Sequence, residues 1–257
     1  MAIIVSKNGK NAKKLSRRSF REEAELQKYI FENPDSIPLE EIKENVQFIV
    51  LDKEFSVNVG SIDILGVDNE GDIYIIETKL YRNPDKRQVL AQVLDYGASL
   101  WESFGSDPDS FIQKLDQKIL EKTNEGLREK LESAFGNADE VIEGMKQNIS
   151  NGIFRFIILM DNVPRSLKNL ILFMNQNSQF SIYAVELEYY VHEGYEILIP
   201  HVFGAESKKK VVPYPAGKRK KWDEDSFFKD AKERIGVGYE AVRKLYEFSK
   251  KYADEIS

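Results

Sequence analysis

The sequence predicts an α/β fold, a mixed β-sheet with helices on its faces. Three observations carry this. Apolar stretches of strand length alternate with helical stretches along the chain. Residues 60–67 and 73–79 read as two apolar strands flanking the polar turn Asp68-Asn69-Glu70-Gly71-Asp72. Residues 154–160 form a nearly continuous apolar run, as expected of a central strand buried on both faces. With 257 residues, 42% of them hydrophobic and 31% charged, the chain suffices for one large domain, or one domain with an appendage.

The elements follow in order. Residues 1–18 are polar and basic and are expected to form an irregular N-terminal arm. Residues 19–31 read as a helix, with Ser19 as N-cap, acids in the first turn and Asn33-Pro34 as the stop. Residues 46–51 and 54–57 are strand material leading into the hairpin. Residues 80–84 are a loop, and a helix follows from about 85 to 104 with the apolar stripe Leu90, Val93 (or Leu94), Gly97, Trp101 and Phe104. Residues 105–150 form a charged helical excursion between core elements, with Gly126, Gly136 and Gly144 as breaks. After the buried strand, Pro164 sits in the first turn of a helix reaching about Gln176. Two strands, 182–187 and 195–199, flank a His192-Glu193-Gly194 turn. A domain over 19–204 is then followed by a basic linker, 205–222, and a helical pair within 223–257 broken at Gly236-Val237-Gly238.

Composition excludes several chemistries. There is no cysteine, so no disulfide, thiolate zinc site or cysteine nucleophile. Two histidines, His192 and His201, leave little room for a His-rich metal site or a Ser-His-Asp triad, and read as surface or capping residues. No apolar run approaches the roughly 18 residues that span a membrane, and the apolar start is too short for a signal peptide. No membrane role and a cytoplasmic location are the expectation. Net charge is −6, yet residues 205–222 carry seven cations and one acid, Glu206. Pro213, Pro215 and Gly217 fit a solvated linker; Lys208, Lys218 and Arg219 also suit phosphate contact, and the two are compatible. Trp222, with Phe227 and Phe228 close behind, reads as an anchor for the C-terminal helices rather than a base-stacking platform.

The hairpin carries the chemistry. If Val67 pairs with Ile73, Asp63 stands opposite Glu77, and Lys79 shares Glu77's face. Directly opposed like charges repel. Two arrangements relieve them: a divalent cation between the carboxylates, or an ion-paired Asp–Lys–Glu cluster. Oxygen ligands of this kind suit magnesium. An acid-x-Lys triplet by itself is not distinctive, since Glu41-Ile42-Lys43 and Asp116-Gln117-Lys118 are others. The following helix adds Gln88, Gln92 and Tyr96, spaced by four and so on one face.

Together, Asp63, Glu77-x-Lys79 and Gln92-x-x-x-Tyr96 resemble the PD-(D/E)XK nuclease superfamily, with its restriction-endonuclease-like fold, and the QxxxY element resembles the branch related to the RecB nuclease domain. The stretch Glu23-Ala24-Glu25-Leu26-Gln27-Lys28-Tyr29-Ile30, followed by Asn33-Pro34, is similar to the opening helix of uncharacterised prokaryotic members. Motifs carry the resemblance over 19–104, and element order carries it to about 204. Ile62 stands where the family often has proline, a variable position. The resemblance implies a three-layer core with a central mixed sheet, plus a Mg2+- or Mn2+-dependent nuclease activity on nucleic acid, DNA favoured. It implies metal ligands at Asp63, Glu77 and the Thr78 carbonyl, with Glu23 (Glu25 as the alternative) on the second-metal side. Lys79 would position or activate the water and Gln92 would orient the site. Tyr96 would touch the substrate backbone or brace Gln92, with Gln88, Lys208, Lys218 and Arg219 as further substrate contacts. A homodimer or a further protein partner through the C-terminal region is compatible with this reading.

Two rivals stand beside this reading. One is a nucleic-acid-binding or complex-forming protein that keeps the fold without catalysis. The other is a glycosidase-like hydrolase using Asp63 and Glu77 as an acid–base pair. No aromatic-rich stretch flanks the acids to form a sugar cleft, and Lys79 has no role there.

Overall fold

In the computed structural model, residues 3–83, 88–178, 180–205, 224–235 and 238–251 are described. The elements in chain order are β1 (Ile4–Lys7), β2 (Lys10–Lys14), β3 (Arg17–Arg18), α1 (Glu23–Glu32), β4 (Phe48–Val57), β5 (Gly60–Asp68), β6 (Ile73–Lys79), α2 (Val89–Phe104), α3 (Pro108–Thr123), α4 (Leu127–Phe135) and α5 (Ala138–Asn151). They continue with β7 (Arg155–Met160), α6 (Arg165–Asn177), β8 (Ser181–His192), β9 (Tyr195–Phe203), α7 (Glu224–Ile235) and α8 (Tyr239–Lys251).

The chain forms the expected α/β core, a mixed sheet between layers of helix. Its strand order is β3-β8-β7-β6-β5-β4, with β9 also paired to β8. Strands β6, β7 and β8 are mutually parallel, while β4, β5, β3 and β9 pair antiparallel. Alternation in the central strands divides the core. Ile73, Ile75, Phe156, Ile158 and Ile182 pack under α2 to α6, whereas Tyr74, Ile76, Ile157, Leu159 and Tyr183 pack with Leu26 and Ile30 of α1. Both faces are therefore apolar, which explains the unbroken runs in the sequence.

The chain divides into two units, Met1–Val211 and Val212–Ser257. In the second, Phe227, Phe228 and Tyr246 form an aromatic cluster between α7 and α8. Lys208, Lys218, Arg219 and Trp222 lie outside the described residues. Among the described residues, no helix is long and apolar enough to cross a membrane.

Several expectations need correction. Residues 4–18 are not irregular: β1 and β2 form a hairpin, and β3 pairs with β8 at Arg17↔Tyr190 and Arg18↔Tyr189. The hairpin turn is Asn8-Gly9, with φ of 53° and 72°, the pair of positive angles a two-residue turn requires. Ser19 is not the helix cap. Phe20 is buried and stacks on Tyr189 at 4.8 Å, so the chain stays extended until Glu22 and α1 begins at Glu23. On α2 the expected Leu90, Val93 and Gly97 are buried, joined by Val89, Tyr96 and Leu100, while Trp101 is 53% exposed rather than part of the inward stripe. Gly126 and Gly136 do separate helices, but Gly144 lies inside α5. It is there because the helix presses on the β5–β6 turn: a Cβ at Gly144 would come within 2.3 Å of the Glu70 carbonyl oxygen.

Candidate active site

Strands β5 and β6 pair in the expected register from Val67↔Ile73 to Ile64↔Ile76. There the ladder ends and the strands part. Strand β5 stays with β4 through Ile62, Ser61 and Gly60, and β6 stays with β7 through Glu77, Thr78 and Lys79. Asp63 and Glu77 are thus the first residues past the last pair, one on each arm of a fork in the sheet.

Asp63 bridges that fork. Its Oδ2 accepts hydrogen bonds from the Thr78 backbone N–H (2.8 Å) and the Thr78 hydroxyl (2.6 Å), taking the place of a ladder acceptor. From α1, Gln27 donates Nε2 to Asp63 Oδ1 (3.2 Å) and to its carbonyl (3.3 Å). Gln27 is buried and was missed by the sequence reading. Its signal was its place four residues after Glu23, on the same helix face.

Glu77 is 2% exposed, and its Oε2 has no hydrogen-bond partner. Burial, then the neighbouring Asp63 charge, push its carboxyl up to about 8; Lys79 pulls the other way and Glu23 adds to the rise. Burial likewise raises Asp63, against the lowering effect of the Thr78 bonds and Lys79. The Lys79 ammonium lies 3.7 Å from Glu77 Oε1 and 3.4 Å from Glu23 Oε2. Glu23 Oε1 also accepts from the Leu80 N–H (3.1 Å) and from Asn83 Nδ2 (2.7 Å), which ties the start of α1 to the end of β6. Glu25 instead accepts from the Arg21 N–H at 2.6 Å.

Gln92, Tyr96 and Gln88 do not form one polar stripe. Gln92 is half-buried and donates Nε2 to the Tyr96 hydroxyl at 2.8 Å; Tyr96 is buried in the core; Gln88 is exposed at the N-cap of α2. The Tyr96 hydroxyl is still near enough to feel both acids: burial first, then Glu77 and Asp63, raise its pKa against the Gln92 bond. The structure therefore brings Asp63, Glu77, Thr78, Lys79 and Glu23 together, with the Gln92–Tyr96 pair alongside. His192 and His201 are apart from it, beside Glu193 (3.7 Å) and Glu188 (3.8 Å).

The donor set suits a hard divalent cation. Among the described residues there is no cluster of three or more His, Cys, Asp or Glu side chains that would cage a metal by itself. Magnesium does not require one, since it is commonly held by one or two carboxylates with water and substrate phosphate completing its shell. A buried carboxylate oxygen without a partner, beside a second carboxylate, is the kind of group such a cation satisfies.

No family model and no curated protein matches this chain. Among solved structures it is similar to a repair endonuclease from Pyrococcus abyssi, at 16% identity and a TM-score of 0.28, over 66% of this chain and 50% of that one. It is also similar to an EndoMS–dsDNA2 complex, at 17% identity and a TM-score of 0.28, over 72% and 65%. The chain spans about half the length of the first and about two thirds of the second. At these values the likeness says nothing about what this chain does.

Proposed function

We propose that the chain is a divalent-metal-dependent nuclease that hydrolyses phosphodiester bonds in nucleic acid, with DNA the favoured substrate. The observation that carries this is the pair Asp63 and Glu77 at the fork, with Glu77 Oε2 buried and unpartnered. An isolated buried carboxylate is expensive, and a second one beside it makes it more so. A site built this way calls for a proton or a cation.

Asp63 and Glu77 would hold Mg2+ or Mn2+, with the Thr78 carbonyl as a third donor. In a strand, the N–H and C=O of one residue point to the same flank. The Thr78 N–H points at Asp63, so its carbonyl lies on the flank that β5 has left. A bound divalent ion supplies Lewis acidity, lowering the pKa of water and offsetting charge on a phosphoryl oxygen. Lys79, oriented between Glu23 and Glu77, holds the attacking water or neutralises charge developing on the phosphorus-bound oxygens. Thr78 and Gln27 fix the Asp63 carboxylate in place. Gln92 and Tyr96 orient the Glu77 side of the site, and Glu23 positions Lys79.

The test is incubation of duplex, single-stranded and branched DNA, and of RNA, with protein and Mg2+ or Mn2+. Cleavage is expected only with metal, and Asp63→Asn or Lys79→Ala lowers it at least about 100-fold. Absence of cleavage by the wild type on every substrate, with DNA binding intact, would leave a second reading: a nucleic-acid-binding protein that does no chemistry. That reading draws on the Lys79 ammonium, which is already ion-paired with Glu23 and Glu77.

A further inference from the structure

We infer that the β1–β2 hairpin and the segment after it are a contact surface for the phosphate backbone of nucleic acid, which runs up the β8–β9 ridge from the site. The inference rests on the nuclease reading for its ligand, and its own observations are charge and placement.

Residues 3–21 carry Lys7, Lys10, Lys13, Lys14, Arg17, Arg18 and Arg21 and no carboxylate, in a chain whose net charge is −6. All seven are exposed. Arg17 is committed to the fold: it donates to the Asp161 carbonyl and pairs with Glu186 (3.3 Å) and Glu188 (3.6 Å). For the other six, no carboxylate among the described residues lies within ion-pair distance. Lys7 and Lys10 even stand directly across from each other beside the Asn8-Gly9 turn. Like charges so placed destabilise a hairpin, and no ion pair among the described residues offsets them. A polyanion does.

The register fixes where this surface lies. Lys79 of the site pairs with Met160, and Met160 pairs with Glu186. Strand β8 then continues six residues past that level, to His192, which is about 20 Å of strand. The slot beside this extension, in line with the end of β7, is filled by β3. The hairpin reaches the tip, where Lys7 and Lys13 share a groove of about 1010 Å3 with His192, Glu193, Tyr195 and Glu196, while Lys10 and Lys14 lie outside that lining. Arg17 and Arg18 therefore lie beyond the end of β7 on the side of β8 nearer the site, and the hairpin lysines lie at the β8–β9 tip. The 75% exposed Tyr195 ring stands at the far end.

The experiment measures affinity of the full chain for a fluorescent DNA duplex of about 30 base pairs, by anisotropy, across a salt series without divalent metal. The variants are the triple K10Q/K13Q/K14Q, built on exposed residues, and Asp63→Asn. The triple variant is expected to weaken binding at least about 10-fold at low salt and to flatten the slope of log K against log salt by about 2–3, near one per lysine lost. Asp63→Asn, which removes a negative charge from the site, is expected to bind at least as tightly as wild type. Equal affinity and slope for the triple variant and wild type overturn the inference. So does a wild type that ignores the duplex but is held by phosphatidylserine vesicles through the same lysines. Steep, lysine-dependent binding without any cleavage in Mg2+ or Mn2+ supports the hairpin while it sinks the nuclease reading, so the two fail separately.

Discussion

Glu77 is the residue on which the site turns. Its carboxyl is raised from the ordinary 4.5 to about 8, chiefly by burial and then by Asp63. A carboxyl that binds its proton more tightly when folded leaves the unfolded chain with fewer protons between about pH 5 and about pH 8, so stability falls as pH rises through that window. Without divalent metal, the melting temperature should therefore drop from pH 5 to pH 8, and Glu77→Gln should remove most of that drop. At pH 8 the variant is expected to melt at least about 3 °C higher than wild type, with the two converging near pH 5. Identical pH profiles by scanning calorimetry would sink this account. The carboxylates and Lys79 were legible in the sequence because the hairpin pattern sets their register. Gln27 and Asn83 were not, since each acts through a partner far along the chain, at Asp63 and Glu23 respectively.

At the scale of elements, the β5–β6 turn meets α5 almost backbone to backbone. Gly71 has a φ of 82°, and a Cβ there would sit 2.5 Å from the Val141 carbonyl oxygen; Gly144 faces the Glu70 carbonyl from the helix side. Asn148 seals the contact by donating Nδ2 to the Gly71 carbonyl at 3.0 Å. Glycine inside a helix costs about 1 kcal/mol against alanine, so Gly144→Ala would stabilise an isolated α5. In the protein the clash wins, at about 1–3 kcal/mol of overpacking, and the variant is expected to unfold at lower urea. A higher midpoint than wild type would contradict this. The same contact explains why Gly144 misled a reading based on local pattern: a glycine selected by a neighbour looks identical to one that ends a helix. The hairpin near the N-terminus failed differently. Its Asn-Gly turn was visible, but strands so exposed carry no apolar alternation to announce them.

Across the whole molecule, net charge conceals a division of labour. The acids at the fork and the arginines of β3 lie at different levels of the seven-stranded sheet, joined through β8, while the lysines of β1 and β2 stand on a separate two-stranded sheet. Every residue of β1 and β2 except Val5 is exposed, whereas Phe20 is buried and Arg17 is pinned to Glu186 and Glu188. Removing residues 1–15 should thus leave the rest folded, shifting the melting temperature by no more than about 2 °C, while abolishing most salt-dependent DNA binding. A truncated chain that is unfolded by circular dichroism would assign the hairpin a structural duty instead. The fold class and the order of elements were legible because they depend on apolar runs that both faces of a sheet demand. The ridge was not, because the β8 extension from Glu188 to His192 mixes buried and exposed residues and takes its length from pairing with β9 and β3.

The fork in the sheet also equips the molecule with its own spectroscopic probe. Ladder amides are shielded from solvent exchange by backbone partners that open only when strands separate. The Thr78 amide is shielded by the Asp63 carboxylate, a side chain that moves by rotating one bond. Its proton chemical shift and exchange rate therefore register the charge and orientation of Asp63 directly. Protonation, a bound cation or an Asp63→Asn change would each be written on that resonance.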